Sequence, residues 1–452
     1  MSAKFRASVL VLHQGKDLSF WDLDEFLRTD LIRTESGPRG SVSYFNTLPT
    51  LEILTFNCKS FELNWTAVKQ VVAYPDREID ELRLRSGGRC YVERGDPGIV
   101  GVERSSLRLS TSGATDTLFL PRVDRLTSDC FPILERVMPV ASPYDKDDSW
   151  LPLNERLGYV IGAMVGAGVA KRNKIQLSCE SIDVRRHFYD CLLWQFGGGT
   201  VTRDCLINED PFVCQGVIGQ SLESWTGDKC FPNFFLLSPA SFRNAVFAGL
   251  MDTAGMIFIS GAKATAQLFC NFSSLNLLLV QQVKWLAASL GIKGKIVNRQ
   301  GALWHLDFDS SDMCRWDRAG LADMKKAAKL WDLRDHNPSR NDRVPISSEL
   351  AKHIYKLANR KDAAENSIRV TFLKAKDSGE VSRSSARRAV SLFGDRILAH
   401  HEGELWSRLV SNNEIGWDQV QAIHPIGTLE TGHDLILADP DCRPVAVDGL
   451  IV

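Results

Sequence analysis

The side chains best suited to metal chemistry in this chain are its 11 cysteines and nine histidines. Zinc sites bring such residues together in close pairs, most often as Cys-x-x-Cys or His-x₃-His. The cysteines form no Cys-x-x-Cys pair and no cluster with histidine at zinc-binding spacing. The sequence therefore predicts reduced, mostly buried cysteines and no zinc site.

Two nine-residue segments share a second pattern, and both end in alanine followed by glycine. They are 160–168 (VIGAMVGAG) and 247–255 (FAGLMDTAG). Each predicts a short helix whose small residues allow another helix backbone to approach closely, with a glycine suited to a sharp exit. Equivalent positions lie 87 residues apart (254 minus 167), which indicates an internal repeat rather than two unrelated core helices.

The same order of elements is predicted after each copy. Alternation and helical periodicity after the second copy predict strands over 256–259 and 265–272, a helix over 275–290 and a hairpin over 293–297 and 303–308. After the first copy they predict a strand over 174–179, a helix over 182–196 and strands over 200–206 and 212–218. The repeat therefore covers roughly residues 155–310.

Length and charge place the repeat inside a larger, nearly neutral chain. A chain of 452 residues exceeds what one core usually serves, so several domains are expected. The net charge of −1 creates no general attraction for nucleic acid, and any basic surface must be local. The chain has no apolar run of about 18 residues and no signal-peptide pattern, so we expect an intracellular protein without membrane segments.

In their nine-residue pattern the two segments resemble the paired helices of the LAGLIDADG homing endonucleases. The resemblance implies helices that cross at a pseudo-twofold interface, each carrying one acidic residue at its lower end. In active relatives these acids hold Mg²⁺ ions that hydrolyse both DNA strands. The matching positions here are Ala167 and Ala254, and a methyl group cannot bind a hard cation. We therefore expect no bound metal, no cofactor and no cleavage.

An acidic residue does lie close to the second alanine. Asp252 matches the internal aspartate of the family motif, which in that family stabilises the helix interface and does not bind metal. The equivalent position of the first copy is Val165. Asp252 is therefore not a candidate metal ligand.

The resemblance also implies four-stranded sheets that lie in the major groove of double-stranded DNA and read base edges. Basic residues on the predicted strands and turns are the candidates, although each alone is typical of an ordinary surface and nearby acids dilute the charge. They are Lys171, Arg172, Lys174 and Arg203 in the first half and Lys263, Lys293, Lys295 and Arg299 in the second. Lys263 or Lys295 also matches the lysine that assists hydrolysis in active relatives, but the sequence does not fix the register.

Residues 344–409 are predicted to be helical. Residues 345–349 look like an N-terminal cap for a helix over 350–357, and a helical stretch over 368–375 leads to a turn at 377–379. The following helix, 382–393, carries Arg383, Arg387 and Arg388, and the arrangement resembles a DNA-binding helix-turn-helix. A solvated, arginine-bearing helix is the alternative.

Both flanks of the chain consist of short predicted β segments. On the N-terminal side they are 9–12, 20–27, 62–73, 80–85 and 89–92, and on the C-terminal side 417–423, 434–437 and 444–452. This layout resembles an intein, in which a Hint splicing domain is split by an inserted endonuclease. The residues that carry this resemblance lie at 8–10, 88–96, 433–435 and 448–452.

The residues required for protein splicing are largely missing. The initiating Cys or Ser would fall at Ala3, with Ser2 one residue away, and the family's Thr-x-x-His pair falls on Arg94 and Pro97. His433, followed by Asp434, matches a histidine of the last conserved block. An ordinary strand-end histidine is the alternative for His433. We therefore expect a Hint-like scaffold that no longer splices.

The expected fold class is α+β and multidomain. A β-rich Hint-like domain is expected over 1–148 and 411–452, a pseudo-twofold αββαββα domain over 149–335 with repeats at about 155–228 and 229–315, and a helix-turn-helix-like segment over 336–410. The expected partner is double-stranded DNA, bound by a monomer, with a protein partner also considered.

Two origins of the paired alanines stay open: deliberate substitution, or natural loss of cleavage in a protein kept for DNA binding. A structural or protein-interaction subunit that no longer touches DNA is the alternative from a different functional class.

Overall fold

The computed structural model describes 8–13, 17–22, 31–37, 40–47, 50–85, 89–94, 101–103, 107, 109–110, 118–126, 133–137, 150–171, 174–196, 212–213, 217–261, 267–300, 302–316, 320–332 and 342–446. The chain forms two compact units of mixed α and β structure. Unit 1 comprises 1–15, 19–124 and 340–452, and unit 2 comprises 16–18 and 125–339. Both flanks of the chain thus belong to unit 1.

The helices, in chain order, are α1 Glu155–Ala167, α2 Ile182–Phe196, α3 Val217–Thr226, α4 Ala240–Thr253, α5 Leu277–Ser289, α6 Ser310–Arg315, α7 Met324–Asp332, α8 Ser348–Leu357, α9 Ala363–Ser378, α10 Arg383–Leu398 and α11 Gly403–Ser411. In the described part of the chain, no helix combines the length and apolarity that a membrane crossing requires.

The strands are β1 Ser8–His13, β2 Asp17–Asp22, β3 Leu31–Gly37, β4 Gly40–Asn46, β5 Leu51–Asn57, β6 Leu63–Leu84, β7 Arg89–Glu93, β8 Gly101–Glu103, β9 Leu109–Ser110, β10 Leu118–Val123, β11 Arg136–Val137, β12 Leu151–Pro152, β13 Gly168–Lys171, β14 Lys174–Leu177, β15 Phe212–Val213, β16 Met256–Ser260, β17 Gln267–Ser274, β18 Gly294–Gln300, β19 Leu303–Phe308, β20 Arg343–Pro345, β21 Glu380–Ser382, β22 Ile415–Leu437 and β23 Cys442–Pro444.

Two long strands from opposite ends of the sequence form the centre of unit 1. β6 and β22 pair antiparallel along most of their length, from Val68 opposite Leu437 to Leu84 opposite Val420. They belong to a twelve-stranded sheet with the main order β2-β1-β5-β6-β22-β10-β8-β9. The predicted segments 62–73 and 80–85 are therefore one strand, as are 417–423 and 434–437, because the antiparallel ladder continues through the residues between them.

Helices α8 to α11 also belong to unit 1. The predicted cap of the first one is confirmed, because Ser347 precedes α8 and its hydroxyl accepts a hydrogen bond from the amide of Leu350. The predicted turn at 377–379 is confirmed only at Gly379, since α9 runs on to Ser378; Gly379 then ends it with φ of 74°, a backbone conformation that glycine adopts without strain. The three-residue strand β21 then separates α9 from α10.

Unit 2 contains the repeat. Its second half runs α4-β16-β17-α5-β18-β19-α6, and its four strands form an antiparallel sheet in the order β16-β17-β19-β18. One sheet face is buried, as the alternating inward residues Ile257, Leu268, Cys270, Phe272 and Leu306 are 4% exposed or less. This half matches its predicted elements, with boundaries shifted by a few residues.

The first half of the repeat is described in part. β13 and β14 pair antiparallel after α1, α2 spans the predicted residues 182–196, and β15 pairs with β14. The predicted strand over 212–218 is wrong at residues 217 and 218, because helix α3 begins at Val217 and buries Ser221, Leu222 and Thr226 at helical spacing. Residues 214–216 lie outside the described residues. The predicted strand over 200–206 lies outside the described residues.

Candidate nucleic-acid interface

The two nine-residue segments form the centre of unit 2. Most of each segment belongs to a helix, α1 or α4, and the two helices cross in backbone contact. A Cβ atom on Gly162 would lie 1.9 Å from the carbonyl oxygen of Val246, and one on Gly249 would lie 2.3 Å from that of Tyr159. Only a residue without a side chain permits this approach, so the glycines of the pattern set the helix crossing.

A buried hydrogen bond also joins the crossing helices. Asp252 of α4 is 3% exposed and accepts a hydrogen bond from the Tyr159 hydroxyl of α1 at 2.8 Å. Its carboxylate also accepts bonds from the amides of Ala322 and Asp323, just before α7. Burial raises the pKa of Asp252 to about 6. Asp252 is thus engaged within the helix interface, the place expected for it.

The C-terminal ends of α1 and α4 carry the two alanines. Ala167 is the last residue of α1, and Ala254 is the residue that follows α4. The helix ends lie side by side, because a Cβ on Gly166 would contact the Thr253 hydroxyl and lie 3.4 Å from the Ala254 methyl group. These methyl groups provide no oxygen atom, and oxygen is what Mg²⁺ and Ca²⁺ require.

Each helix end instead holds a lysine ammonium group. The Nζ atom of Lys326 donates to the carbonyl oxygens of Met251, Asp252 and Gly255 at 2.7, 2.8 and 2.8 Å. At the other helix, Lys229 Nζ donates to the carbonyl of Met164 at 3.0 Å and to that of Gly168. Lysines at these positions stabilise the negative ends of the helix dipoles. Neither lysine was predicted from the sequence, since both lie outside the nine-residue pattern.

Partial burial of these lysines affects their protonation. Desolvation lowers the pKa of Lys229, and for Lys326 it lowers the pKa against the opposing effect of Asp252. Lys229 also has a φ of 53°, which is uncommon for a residue with a side chain. Desolvation thus disfavours the charged form of both lysines relative to an exposed lysine.

The basic candidates of the first half meet at a hairpin. Lys171 and Lys174 are exposed and directly opposite each other in the β13–β14 ladder. Like charges in such a cross-strand position destabilise a sheet unless an anion lies between them. Arg172 lies between them in sequence, but it and Arg203 lie outside the described residues.

The basic candidates of the second half do not form one surface. Lys295 is half-buried, opposite Asp307 on β19, and Arg299 is described only by its backbone in β18. Lys293 is only 7% exposed, so its side chain is enclosed within unit 2. The prediction that Lys293 contacts DNA is therefore wrong. Lys263 lies outside the described residues.

The outward face of the second sheet is more apolar than predicted. Met256, Phe258 and Phe269 are 54%, 39% and 42% exposed on it. The two phenylalanines are cross-strand partners, and their rings stack with centroids 5.2 Å apart. A face of this kind favours contact with apolar groups as much as with DNA.

The three arginines of α10 have different positions. Arg383 is only 1% exposed, and its guanidinium donates to the carbonyls of Leu409 and Ile415, both at 2.6 Å, and to the carboxylate of Asp342 at 2.9 Å. The prediction that Arg383 contacts DNA is wrong, because a guanidinium with these buried partners cannot reach a phosphate. Arg387 is exposed and bonds to Asn413, and Arg388 is exposed.

The residues aligned with splicing positions are only partly described. Ala3 and Pro97 lie outside the described residues. His433 and Asp434 are described only by their backbone in β22, where they lie opposite Ala73 and Val72 of β6. Arg94 is exposed and forms ion pairs with Glu78 at 2.8 Å and Asp80 at 2.9 Å. The Arg94 side chain therefore serves cross-strand pairing.

One further cluster in unit 1 was not predicted. Ligand atoms of Glu349, His400 and His401 lie within 4.8 Å of one another. The amide of Glu402 donates to Nδ1 of His400 at 3.3 Å, so the proton of the neutral ring lies on Nε2, which faces Glu349 at 3.9 Å. A protonated ring nitrogen cannot bind a metal ion, so we assign no metal site to these three residues.

No protein-family model and no curated protein matches the sequence. Among solved structures, the homing endonuclease I-DmoI in complex with DNA and Mn is similar at 10% identity and a TM-score of 0.25, over 34% of this chain and 90% of that one. The N-terminal LAGLIDADG domain of WhiA is similar at 8% identity and a TM-score of 0.24, over 42% and 85%. The Pyrococcus horikoshii PolII mini-intein is similar at 12% identity and a TM-score of 0.13, over 26% and 68%. At these scores the function must be argued from the residues of this chain.

Proposed function

We propose that unit 2 is the DNA-binding core of an intein-derived, homing-endonuclease-like protein that binds a long double-stranded site without cutting it. The observation that carries the proposal is the crossing of α1 and α4, in which Gly162 and Gly249 each meet the backbone of the opposite helix. This crossing joins two halves that each place strands after the helix. Two such halves in one chain suit one continuous duplex bound by a monomer.

The hairpin bearing Lys171 and Lys174 supports an anionic partner. These lysines are opposite each other and exposed, an arrangement that costs folding stability in the free protein. Bound phosphates would remove that cost, and counterion release would make the affinity depend on salt. Arg387 and Arg388 of unit 1 are the second set of proposed phosphate contacts.

The proposed loss of cleavage rests on the helix ends. Ala167 and Ala254 lack the oxygen ligands of a metal site, and lysine ammonium groups bind the neighbouring carbonyls. We also propose that protein splicing is lost, since Ala3, Arg94 and Pro97 lack the required nucleophile and the Thr-x-x-His pair. An intracellular location agrees with the free thiols of Cys191, Cys270 and Cys314.

Selection of duplexes from a random library tests DNA binding. We expect enrichment of one site of roughly 15–30 base pairs, nanomolar-range affinity and a loss of about 10³-fold between 50 and 200 mM salt. Incubation of the selected duplex with Mg²⁺ should leave both strands intact. Absence of enrichment, or salt-insensitive binding, would contradict the proposal.

A protein-interaction subunit is the second candidate, and the exposed Met256, Phe258 and Phe269 favour it. Affinity purification from nuclease-treated extract should then recover a stoichiometric protein complex. Replacing Phe258 and Phe269 by serine should abolish that complex, while replacing Lys171 and Lys174 by alanine should leave it intact. The DNA-binding proposal predicts the greater effect from the lysine substitutions in the library assay.

A further inference from the structure

The two lysines at the ends of α1 and α4 occupy equivalent places in the repeat. Lys229 binds the carbonyls of Met164 and Gly168, and Lys326 binds those of Met251 and Gly255. The carbonyls correspond at the repeat spacing, because 251 minus 164 and 255 minus 168 both equal 87. Each half therefore binds one ammonium group at the same point of its helix.

The lysines themselves do not correspond in the repeat. At a spacing of 87, the counterpart of Lys229 is Trp316 and that of Lys326 is Pro239. Lys229 follows α3, whereas Lys326 lies in the first turn of α7. Two segments that do not correspond at this spacing thus supply a cation to equivalent helix ends, which indicates that a positive charge is favourable at the helix end itself.

The hydrogen bonds show what the ammonium groups do there. A lysine ammonium has three N–H donors, and those of Lys326 match three carbonyl oxygens. No donor of Lys326 remains for a DNA phosphate, so this lysine serves the protein. The carbonyl oxygens of Met251, Asp252 and Gly255, all within three residues of Ala254, are engaged by Lys326 and are not open to a metal ion. A divalent ion there would also be repelled by the fixed positive charge.

We infer that Lys229 and Lys326 are resident cations that close the two helix ends to divalent metal, so that restoring acids at Ala167 and Ala254 alone does not restore metal binding. This inference rests on the proposed assignment of those helix ends as the former metal positions. The positive charge of either ammonium group would offset the negative charge of a carboxylate restored beside it and so weaken its attraction for a divalent ion. Metal exclusion thus depends on four residues, of which two are alanines and two are lysines.

Mn²⁺ binding in the absence of DNA tests this, with free Mn²⁺ measured by electron paramagnetic resonance. The variant A167D/A254D should bind Mn²⁺ no more than about threefold more tightly than the unchanged chain. Adding K229M and K326M to it should increase the affinity at least tenfold and give two ions per chain. The matched control A167D/A254D/K329M should behave like A167D/A254D, because Lys329 lies on the same helix and its ammonium donates to Ile257 of β16.

Tight binding of two Mn²⁺ ions by A167D/A254D with both lysines present would overturn the inference, and this variant requires no lysine substitution. A folded four-residue variant that gains no affinity would overturn it as well, with folding verified by circular dichroism. Because DNA is absent from the assay, failure of this inference is distinguishable from failure of DNA binding, which the library selection reports.

Discussion

Asp252 shows how one buried side chain can stabilise a helix interface at a cost that depends on pH. Its carboxylate accepts three hydrogen bonds, from Tyr159, Ala322 and Asp323, yet desolvation still raises its pKa to about 6 from 3.8. Folding therefore favours the protonated form. The resulting stability is fully present below the unfolded pKa and is lost as pH rises through about 6.

Replacing Asp252 by asparagine should remove this pH dependence. Between pH 4 and pH 7, the unfolding free energy of the unchanged chain should fall by about 2–3 kcal/mol relative to D252N, since about two pKa units correspond to that energy. Urea unfolding at several pH values measures it. D183N, which changes an exposed carboxylate of α2, is the control. Parallel pH profiles of the unchanged chain and D252N would contradict the assigned role.

Arg383 is a buried basic residue whose position in the sequence of α10 does not indicate its burial. Its guanidinium binds carbonyls at the end of α11, in the turn after it and at the start of β22, together with the Asp342 carboxylate. The substitution R383M should therefore destabilise unit 1 by about 3–5 kcal/mol, since Asp342 and the buried carbonyl oxygens lose the charged group that binds them. R388A, five positions along α10, should stay within about 0.5 kcal/mol. Equal effects in chemical denaturation would refute the distinction.

At the level of elements, the crossing of α1 and α4 depends on small residues at defined places. A methyl group at Gly162 would contact a backbone carbonyl, which cannot rotate away as a side chain can. G162A should therefore force the helices apart and lower the free energy of unfolding. Overpacking of this kind costs about 1–3 kcal/mol, and we expect a loss near the upper end of that range. Thermal and urea unfolding measure the loss.

The control for this substitution lies in another helix. A Cβ on Gly394 of α10 would meet nothing within 4 Å, so G394A should be neutral or stabilise the protein by up to about 1 kcal/mol. A result in which G162A and G394A behave alike would show that the helix crossing tolerates separation.

The β13–β14 hairpin is the element on which DNA binding is most directly testable. The substitutions K171A and K174A together should lower the slope of log affinity against log salt by about two and leave stability unchanged or slightly raised. The control is the replacement by alanine of two exposed basic residues outside this hairpin, Arg186 and Lys325. An unchanged salt slope in the Lys171 and Lys174 variant would exclude the hairpin from the interface.

At the level of the whole molecule, local sequence patterns predicted most elements and few of their partners. Periodicity located α2, α5 and the strands of the second half, since each pattern is contained in one segment. It could not locate the ammonium groups at the helix ends, because Lys229 and Lys326 reach carbonyls more than 60 positions away. Burial of Arg383 and Lys293 depends likewise on distant segments. The division into three domains and the DNA contacts stay predictions.

The antiparallel pairing of β6 with β22 has a consequence for how the chain acquires its structure. Val68 and Leu437 are partners although 369 positions separate them (437 minus 68), and such non-local contacts form slowly. During synthesis β6 is made long before β22. Every described element of the repeat is also made before β22. Unit 2 should therefore gain hydrogen-exchange protection first in refolding, with β6 amides protected later.

Pulse-labelling hydrogen exchange after dilution from denaturant measures this order, and simultaneous protection of α1 and β6 would contradict it. A ribosome-bound chain that ends before residue 415 would carry β6 without its main partner. The edge of β6 that pairs with β22 would then be open, and an open strand edge is a template for association with other chains. Yield in the cell should therefore depend more on protection of this early strand by chaperones than on the stability of the finished fold.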